Sequence, residues 1–133
     1  MPSTDFYSAA LVLTNLSEAN LMYAYLMNAK LHGAILRHTI FQGANLKEAI
    51  LYKADCFRAD FREAELSGAI FDGADLHYAC FWDTDLSQVS FIGAIYNQYT
   101  RWLNGFNPES AGAIFHEAKE HQVELNESPG ESQ

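Results

Sequence analysis

The sequence predicts an all-β chain that turns once every five residues and winds into a coil around one continuous apolar interior. Three periodic sets predict it. From Phe6, in steps of five to Tyr96, seventeen of nineteen positions are Leu or Phe, the exceptions being Cys56 and Tyr96. Two residues earlier in each unit, from Thr4 to Ala94, fourteen of nineteen are Ala, four are Thr and one is Val89. Gly33, Gly43, Gly68, Gly73 and Gly93 all fall at the last position of a unit, where a corner tolerates unusual dihedrals.

Period five suits neither simple element. On an α-helix, at about 100° per residue, every fifth side chain advances by about 140° and the leucines would point everywhere. On a straight strand an odd period would throw alternate leucines to opposite faces. A turn in each unit resolves both conflicts. The small and the large residue, two apart, then share the inner side of a short extended segment. The other three positions face outward or form the corner.

Two stretches carry a family resemblance. The segments ANLMYAYLMNAKLHGAILRH (19–38) and ADFREAELSGAIFDGADLHYACF (59–81) resemble the A-(D/N)-L-x-x pattern of pentapeptide-repeat proteins, and the pattern runs over residues 4–98. The resemblance implies a right-handed quadrilateral β-helix, with four units and twenty residues per coil and nearly five coils. In that register Phe41, Phe61 and Phe81 stack on one inner face, and Leu26, Leu46, Leu66 and Leu86 form a ladder on another. At the strand spacing of about 4.8 Å the rod is roughly 23 Å long. Alanine above each large residue lets coils approach, which makes Val89 beside Phe91 the tightest site.

The pattern stops at Tyr99. AIYNQYTRWLNGFNPESAGAIF (94–115) resembles the segment that closes many cyanobacterial pentapeptide-repeat proteins, with Leu103 standing where Pro is expected. Residues 99–125 are therefore expected to form a C-terminal cap. Trp102 and Phe106 cover the last coil, whose open edge would otherwise invite aggregation. Asn107-Pro108 reads as a helix N-cap followed by Pro at the first helical position. Ala111, Ile114, Phe115, Ala118, Gln122 and Leu125 trace one helical stripe, weakened by about 1 kcal/mol by Gly112. The polar tail 126–133 is expected to be disordered.

Composition narrows the function. The chain has 133 residues, the size of one domain, and a net charge of −9, which argues against direct binding of nucleic acid or anionic lipid and permits a basic partner. Two cysteines, Cys56 and Cys80, make no disulfide framework, and no apolar stretch approaches the length of a membrane span. Met1 to Leu16 lacks the pattern of a signal peptide, so a cytoplasmic location is expected. Catalysis needs convergent polar groups in a concave site, and a filled rod offers none. Cys56 is inward and inert, and nothing basic activates Cys80. His32, His38, His77, His116 and His121 show no metal-ligand spacing. The expectation is a protein with no enzymatic activity, cofactor or metal.

Two outer surfaces are candidates for binding. The first is acidic: Asp55, Asp60, Glu65, Asp75 and Asp85 each precede a central residue. Asp at this position bonds its own corner on one reading. On the other, these residues belong to an acidic DNA-mimic rod of the kind by which some pentapeptide-repeat proteins act on type II topoisomerases. Duplex DNA carries one charge per roughly 1.7 Å, so a 23 Å rod needs about thirteen net negatives, whereas residues 4–98 hold eleven acids and six bases. The charge is also graded along the rod, net −6 over residues 54–98 and +1 over residues 4–53.

The second surface is the N-terminal coil. Its outward positions Tyr7, Val12, Leu13, Met22, Tyr23, Tyr25 and Met27 are unusually apolar. With only Met1, Pro2 and Ser3 before the first unit, the coil end predicts a homodimer through the N-terminal end; the alternative is that Pro2 and local side chains blunt the edge of a monomer. The sequence thus points to a non-enzymatic protein-binding or scaffold protein that recognises a protein by its outer faces, with the topoisomerase-directed DNA mimic as the alternative.

Overall fold

The computed structural model describes residues 4–119. Their organisation is a four-sided coil with a twenty-residue turn. Parallel bridges join residues twenty apart, as in Asp5 to Tyr25, Tyr25 to Asn45 and Asn45 to Glu65. We number the sides in chain order by their central residues: the first side runs through Leu26, Leu46 and Leu66, the second through Leu31 and Leu51, the third through Leu36 and Leu76, and the fourth through Phe41, Phe61 and Phe81.

Each five-residue unit satisfies its own backbone. In the first unit Phe6 N–H donates to Tyr25 C=O and Ser8 N–H to Met27 C=O in the coil above, while Tyr25 N–H returns to Thr4 C=O. Ala9 N–H closes the corner on Phe6 C=O. The residue after the corner lies in the left-handed region in nearly every unit, glycine or not: φ is 60° at Leu13, 61° at Tyr23 and 70° at Gly43. Gly43 has a second reason to be glycine, because a Cβ there would meet the Tyr23 ring at 2.4 Å.

The interior follows the predicted frame. Phe41, Phe61 and Phe81 stack with centroids 5.0 and 5.1 Å apart and rings nearly parallel. Leu26, Leu46, Leu66 and Leu86 are all buried. The two buried threonines in the alanine position share one device: Thr39 Oγ1 donates to Leu16 C=O and Thr84 Oγ1 to Phe61 C=O, each 2.8 Å away in the coil below. A hydroxyl that would otherwise be buried without a partner thus spans two coils.

Two irregularities break the register. On the first side the bridge expected between Glu65 and Asp85 is missing, and Gly68 N–H bonds Gln88 C=O instead of following the usual spacing to Ser87. Gln88 is also absent from the left-handed corners. Val89 sits at this corner and is only half-buried, unlike the fully packed alanines below it. The bulk of Val89 accounts for the displaced corner. The second irregularity is one inserted residue at the top of the third side, so that Cys80 pairs with Arg101. Thr100 recovers the inward position and donates to Leu76 C=O at 2.8 Å.

Among the described residues the chain closes the coil without a helix. Trp102 stacks on Phe81 at 5.1 Å, and Phe106 packs on Trp102 at 5.1 Å and on Phe91 at 5.6 Å. Asn107 does accept from the N–H groups of Glu109 and Ser110, as an N-cap would. The expected helix fails after one turn, because Gly112 adopts φ 93° and Ala113 N–H returns to Pro108 C=O. Ile114–Phe115 (β2) then pairs in parallel with Ile95–Tyr96 (β1), giving the last coil a partner strand where its edge would stand open. Ala111, Ile114, Phe115 and Ala118 therefore lie in turn and strand, while Gln122, Leu125 and the tail 126–133 fall outside the described residues.

Candidate functional site

Because the interior is filled by side chains, binding chemistry has only the outer faces to work with. The residue before each central one points out from the middle of a side, and Asp or Asn there has a local task. The side-chain oxygen accepts the backbone N–H two residues on: Asp55 from Phe57 at 3.2 Å, Asp60 from Arg62 at 3.0 Å, Asp75 from His77 at 3.0 Å and Asp85 from Ser87 at 2.9 Å. Asp5, Asn15, Asn20 and Asn45 do the same. Four of the five candidate acidic residues are thus corner-forming. Glu65 is too long for this bond and instead reaches Lys47 at 3.6 Å.

Further partners occupy three of these carboxylates. Asp55 pairs with Arg37 at 3.0 Å, Asp60 with Arg62 at 2.8 Å and Asp75 with the Nδ1 of His77 at 2.8 Å. Burial pushes the Asp75 carboxyl up, but hydrogen bonds from His77, its charge and that of Arg37 outweigh burial and leave it below the usual carboxylate range. The bond from Ser87 N–H lowers the exposed Asp85 as well. Burial raises the thiols of Cys56 and Cys80, which favours their protonated forms.

The histidines stand apart from one another except at the top of the third side, where the rings of His77 and His116 lie 6.0 Å apart. His32 and His38 make edge contacts with Tyr52 and Phe57, and His121 is outside the described residues. Among the described residues no three His, Cys, Asp or Glu side chains gather as metal ligands.

Sorting outward residues by side shows a sharper asymmetry than the gradient along the rod. The outward positions of the first side carry Asp5, Glu63, Glu65, Asp83 and Asp85 against Lys47, a net of −4. The second side has Glu48 and Asp72 against Lys30, the third has Asp55 and Asp75 against Arg37 and Lys53, and the fourth has Glu18 and Asp60 against Arg58, Arg62 and Arg101. Nearly all unbalanced charge therefore lies on one face.

The same face holds much of the apolar N-terminal patch. Tyr7, Val12, Leu13, Tyr23 and Tyr25 are exposed, while Met22 and Met27 are half-buried. Tyr23 and Tyr25 line an open groove with Gly43, Asn45, Glu63 and Glu65. Above it, Lys47, Glu65, Asp85 and Ser87 border a recess of about 310 Å³ that reaches the main chain of Ala64 and Leu66, where the ladder is broken. The candidate acidic surface drawn from the sequence holds only acids before a central residue, so Glu63 and Asp83 entered it only through the net charge of residues 54–98. The signal was available in the twenty-residue register, which sets both above Tyr23 and Gly43. Also unforeseen was the corner between the third and fourth sides, where Arg37 lies over Phe57 at 4.3 Å, and Arg58, itself buried, over Tyr78 at 4.8 Å.

The family model for pentapeptide repeats matches in eight copies, over residues 3–37, 24–55 and 54–93. Among solved structures, a pentapeptide repeat protein (Rfr23) from the cyanobacterium Cyanothece 51142 aligns with 32% identity and a TM-score of 0.70, covering 71% of this chain and 64% of that one. This chain thus spans just under two thirds of that protein. A pentapeptide repeat protein of Nostoc PCC 7120 aligns at 28% identity over 84% of each chain, with a TM-score of 0.44. Full-length QnrB1, a plasmid-mediated fluoroquinolone resistance protein, shares the fold at 20% identity and a TM-score of 0.52, over 91% of this chain and 70% of that one. No curated protein matches the sequence.

Proposed function

The chain belongs to the pentapeptide repeat family, and from that premise we propose that it is a non-enzymatic binding rod that recognises a protein partner by its outer faces. Such a rod is a right-handed β-helical solenoid, and its filled interior leaves recognition to the side chains on its four sides. The observation that carries the proposal is the segregation of these side chains, with exposed tyrosines and unbalanced carboxylates on one face and compensated charges on the others. Affinity capture with the native chain, repeated with a variant whose first-side tyrosines are replaced, tests it. A discrete protein retained by the first and lost by the second supports the proposal, and identical capture by both contradicts it.

The alternative, an acidic rod acting on a type II topoisomerase, has less support. Asp55, Asp60 and Asp75 are engaged with Arg37, Arg62 and His77, so they do not present free charges at the phosphate spacing of DNA. A gyrase supercoiling assay separates the two, since a DNA mimic inhibits or protects and a scaffold does neither. Self-association through the N-terminal coil is a further proposal, supported by main-chain groups. Among the described residues Asp5, Ala10 and Asn15 each keep both N–H and C=O out of the ladder, and two residues opposed in an antiparallel bridge exchange that pair. Light scattering of the native chain and of a Met22→Lys, Tyr25→Lys variant tests it, and a native monomer at high micromolar concentration would contradict it.

A further inference from the structure

We infer that the groove on the first side seats an extended basic peptide segment of the protein partner, an inference that rests on the protein-binding reading and names the chemistry of what is bound. The recess between the fourth and fifth coils supplies the first part of the argument. On the other coil-to-coil steps of this side the central amide bonds the coil above, as Leu26 N–H bonds Asn45 C=O and Leu46 N–H bonds Glu65 C=O. At the last step, Leu66 N–H, Ala64 C=O and both main-chain groups of Asp85 lack these bonds and line or border the recess. Ala64 and Leu66 are buried residues, where a main-chain group outside the ladder is costly, so such a slot favours an occupant that bonds it. The carbonyls of Ala64 and Asp85 and the carboxylates of Glu65 and Asp85 are acceptors that suit a guanidinium or ammonium head.

The tyrosines supply the second part. Tyr23 and Tyr25 are 51% and 49% exposed, and Tyr23 lies against Gly43, whose missing side chain makes room for it. An aromatic ring flanked by carboxylates, as here by Glu63 and Glu65, attracts a cation by its face and by charge together. The acids set the sign of the partner, while the unpaired main chain and the rings make the place. Lys47, the one base on this side, is answered by Glu65. Acidic and anionic partners are repelled by the net charge of the face.

The spacing defines the segment. The rings and the recess are separated by two to three coils, roughly 10–14 Å at the coil spacing. An extended chain covers that distance in about three or four residues at about 3.3 Å each. The fitting segment therefore carries two basic residues four apart, an even spacing that points both side chains of an extended chain the same way, with one head in the recess and the other over the tyrosines.

Fluorescence anisotropy with a labelled Arg-Ala-Ala-Ala-Arg-type peptide tests the inference at low salt, using the full chain. Replacing Glu63 and Glu65 by Gln is expected to weaken binding by roughly tenfold or more, and replacing Tyr23 and Tyr25 by Ser by about fivefold. Glu18→Gln with Glu48→Gln removes the same charge from exposed positions on other sides and is expected to change affinity by less than about twofold. All three variants alter exposed side chains, and unchanged melting curves verify their fold. Equal weakening by the first-side and control pairs would reduce the effect to net charge and overturn the inference, as would absence of peptide binding to the native chain. If peptide binding fails while the chain still captures a protein through another face, the groove is refuted and the binding-rod reading stands. If both fail, both fall.

Discussion

The first and third sides of the coil are built from five units each, yet they treat their carboxylates in opposite ways. On the third side Asp55 and Asp75 stand in register, each accepting its own corner N–H and each answered by a base, Arg37 or His77. On the first side, among the described residues, Glu63, Asp83 and Asp85 have no salt bridge, Glu63 meeting only the Gln42 amide at 3.5 Å, and the ladder beside Asp85 is open. The repeat is the same; what differs is where the acid stands in the unit and whether the corner closes. Acids on the third side are part of the architecture, whereas several on the first are free to meet something else.

The largest expected effect tests the inside and outside of the first side. Leu66→Asp buries an unpaired charge at a fully enclosed position, costs several kcal/mol and abolishes cooperative unfolding by circular dichroism, whereas Ser67→Asp, one residue on and exposed, leaves the melting temperature nearly unchanged. Next comes the closure shared by all sides. Trp102→Ala removes the last ring of the Phe41–Phe61–Phe81 stack and is expected to cost about 3 kcal/mol in denaturant melts, because the last core residues then face water.

The third side should show its dependence on pH. Asp75 has a folded value below its unfolded one, so its stabilisation is present above the unfolded carboxylate value near 4 and is lost as pH falls through the lower folded value. Melting temperature is expected to drop below about pH 4, and Asp75→Asn to lower it at neutral pH while flattening that drop. The smallest effect sharpens the groove. Gly43→Ala strains a left-handed corner and displaces the Tyr23 ring, at a cost of about 1 kcal/mol by chemical denaturation.

These two sides also show what the residues reveal in advance and what they do not. The interior was legible because burial imposes a narrow choice: a large apolar residue at the centre and a small one two before, with buried Thr39 and Thr84 each bonded to the coil below. The corner role of Asp was legible for the same reason, being a bond within the unit. The helix expected after Pro108 was not, because an N-cap and an apolar stripe are local signals. Pairing of Ile114 with the exposed edge of Ile95, through the left-handed Gly112, is a tertiary demand that overrides them. Val89 was recognisable as a tight site, but the lost bridge at Asp85, on the neighbouring unit, follows from how a whole corner yields. Reading charge along the chain likewise hid its sidedness, which appears only when residues twenty apart are viewed as neighbours.

The most direct test of the contrast between the sides is a titration of isotopically labelled protein with the two-arginine peptide, followed by amide chemical shifts. The account predicts saturable shifts at Tyr23, Tyr25, Glu63 to Ser67 and Asp85 to Gln88, with the amides of Ile35, Asp55 and Asp75 on the third side unmoved. Shifts spread evenly over all four sides, or centred on Asp55 and Asp75, would contradict it.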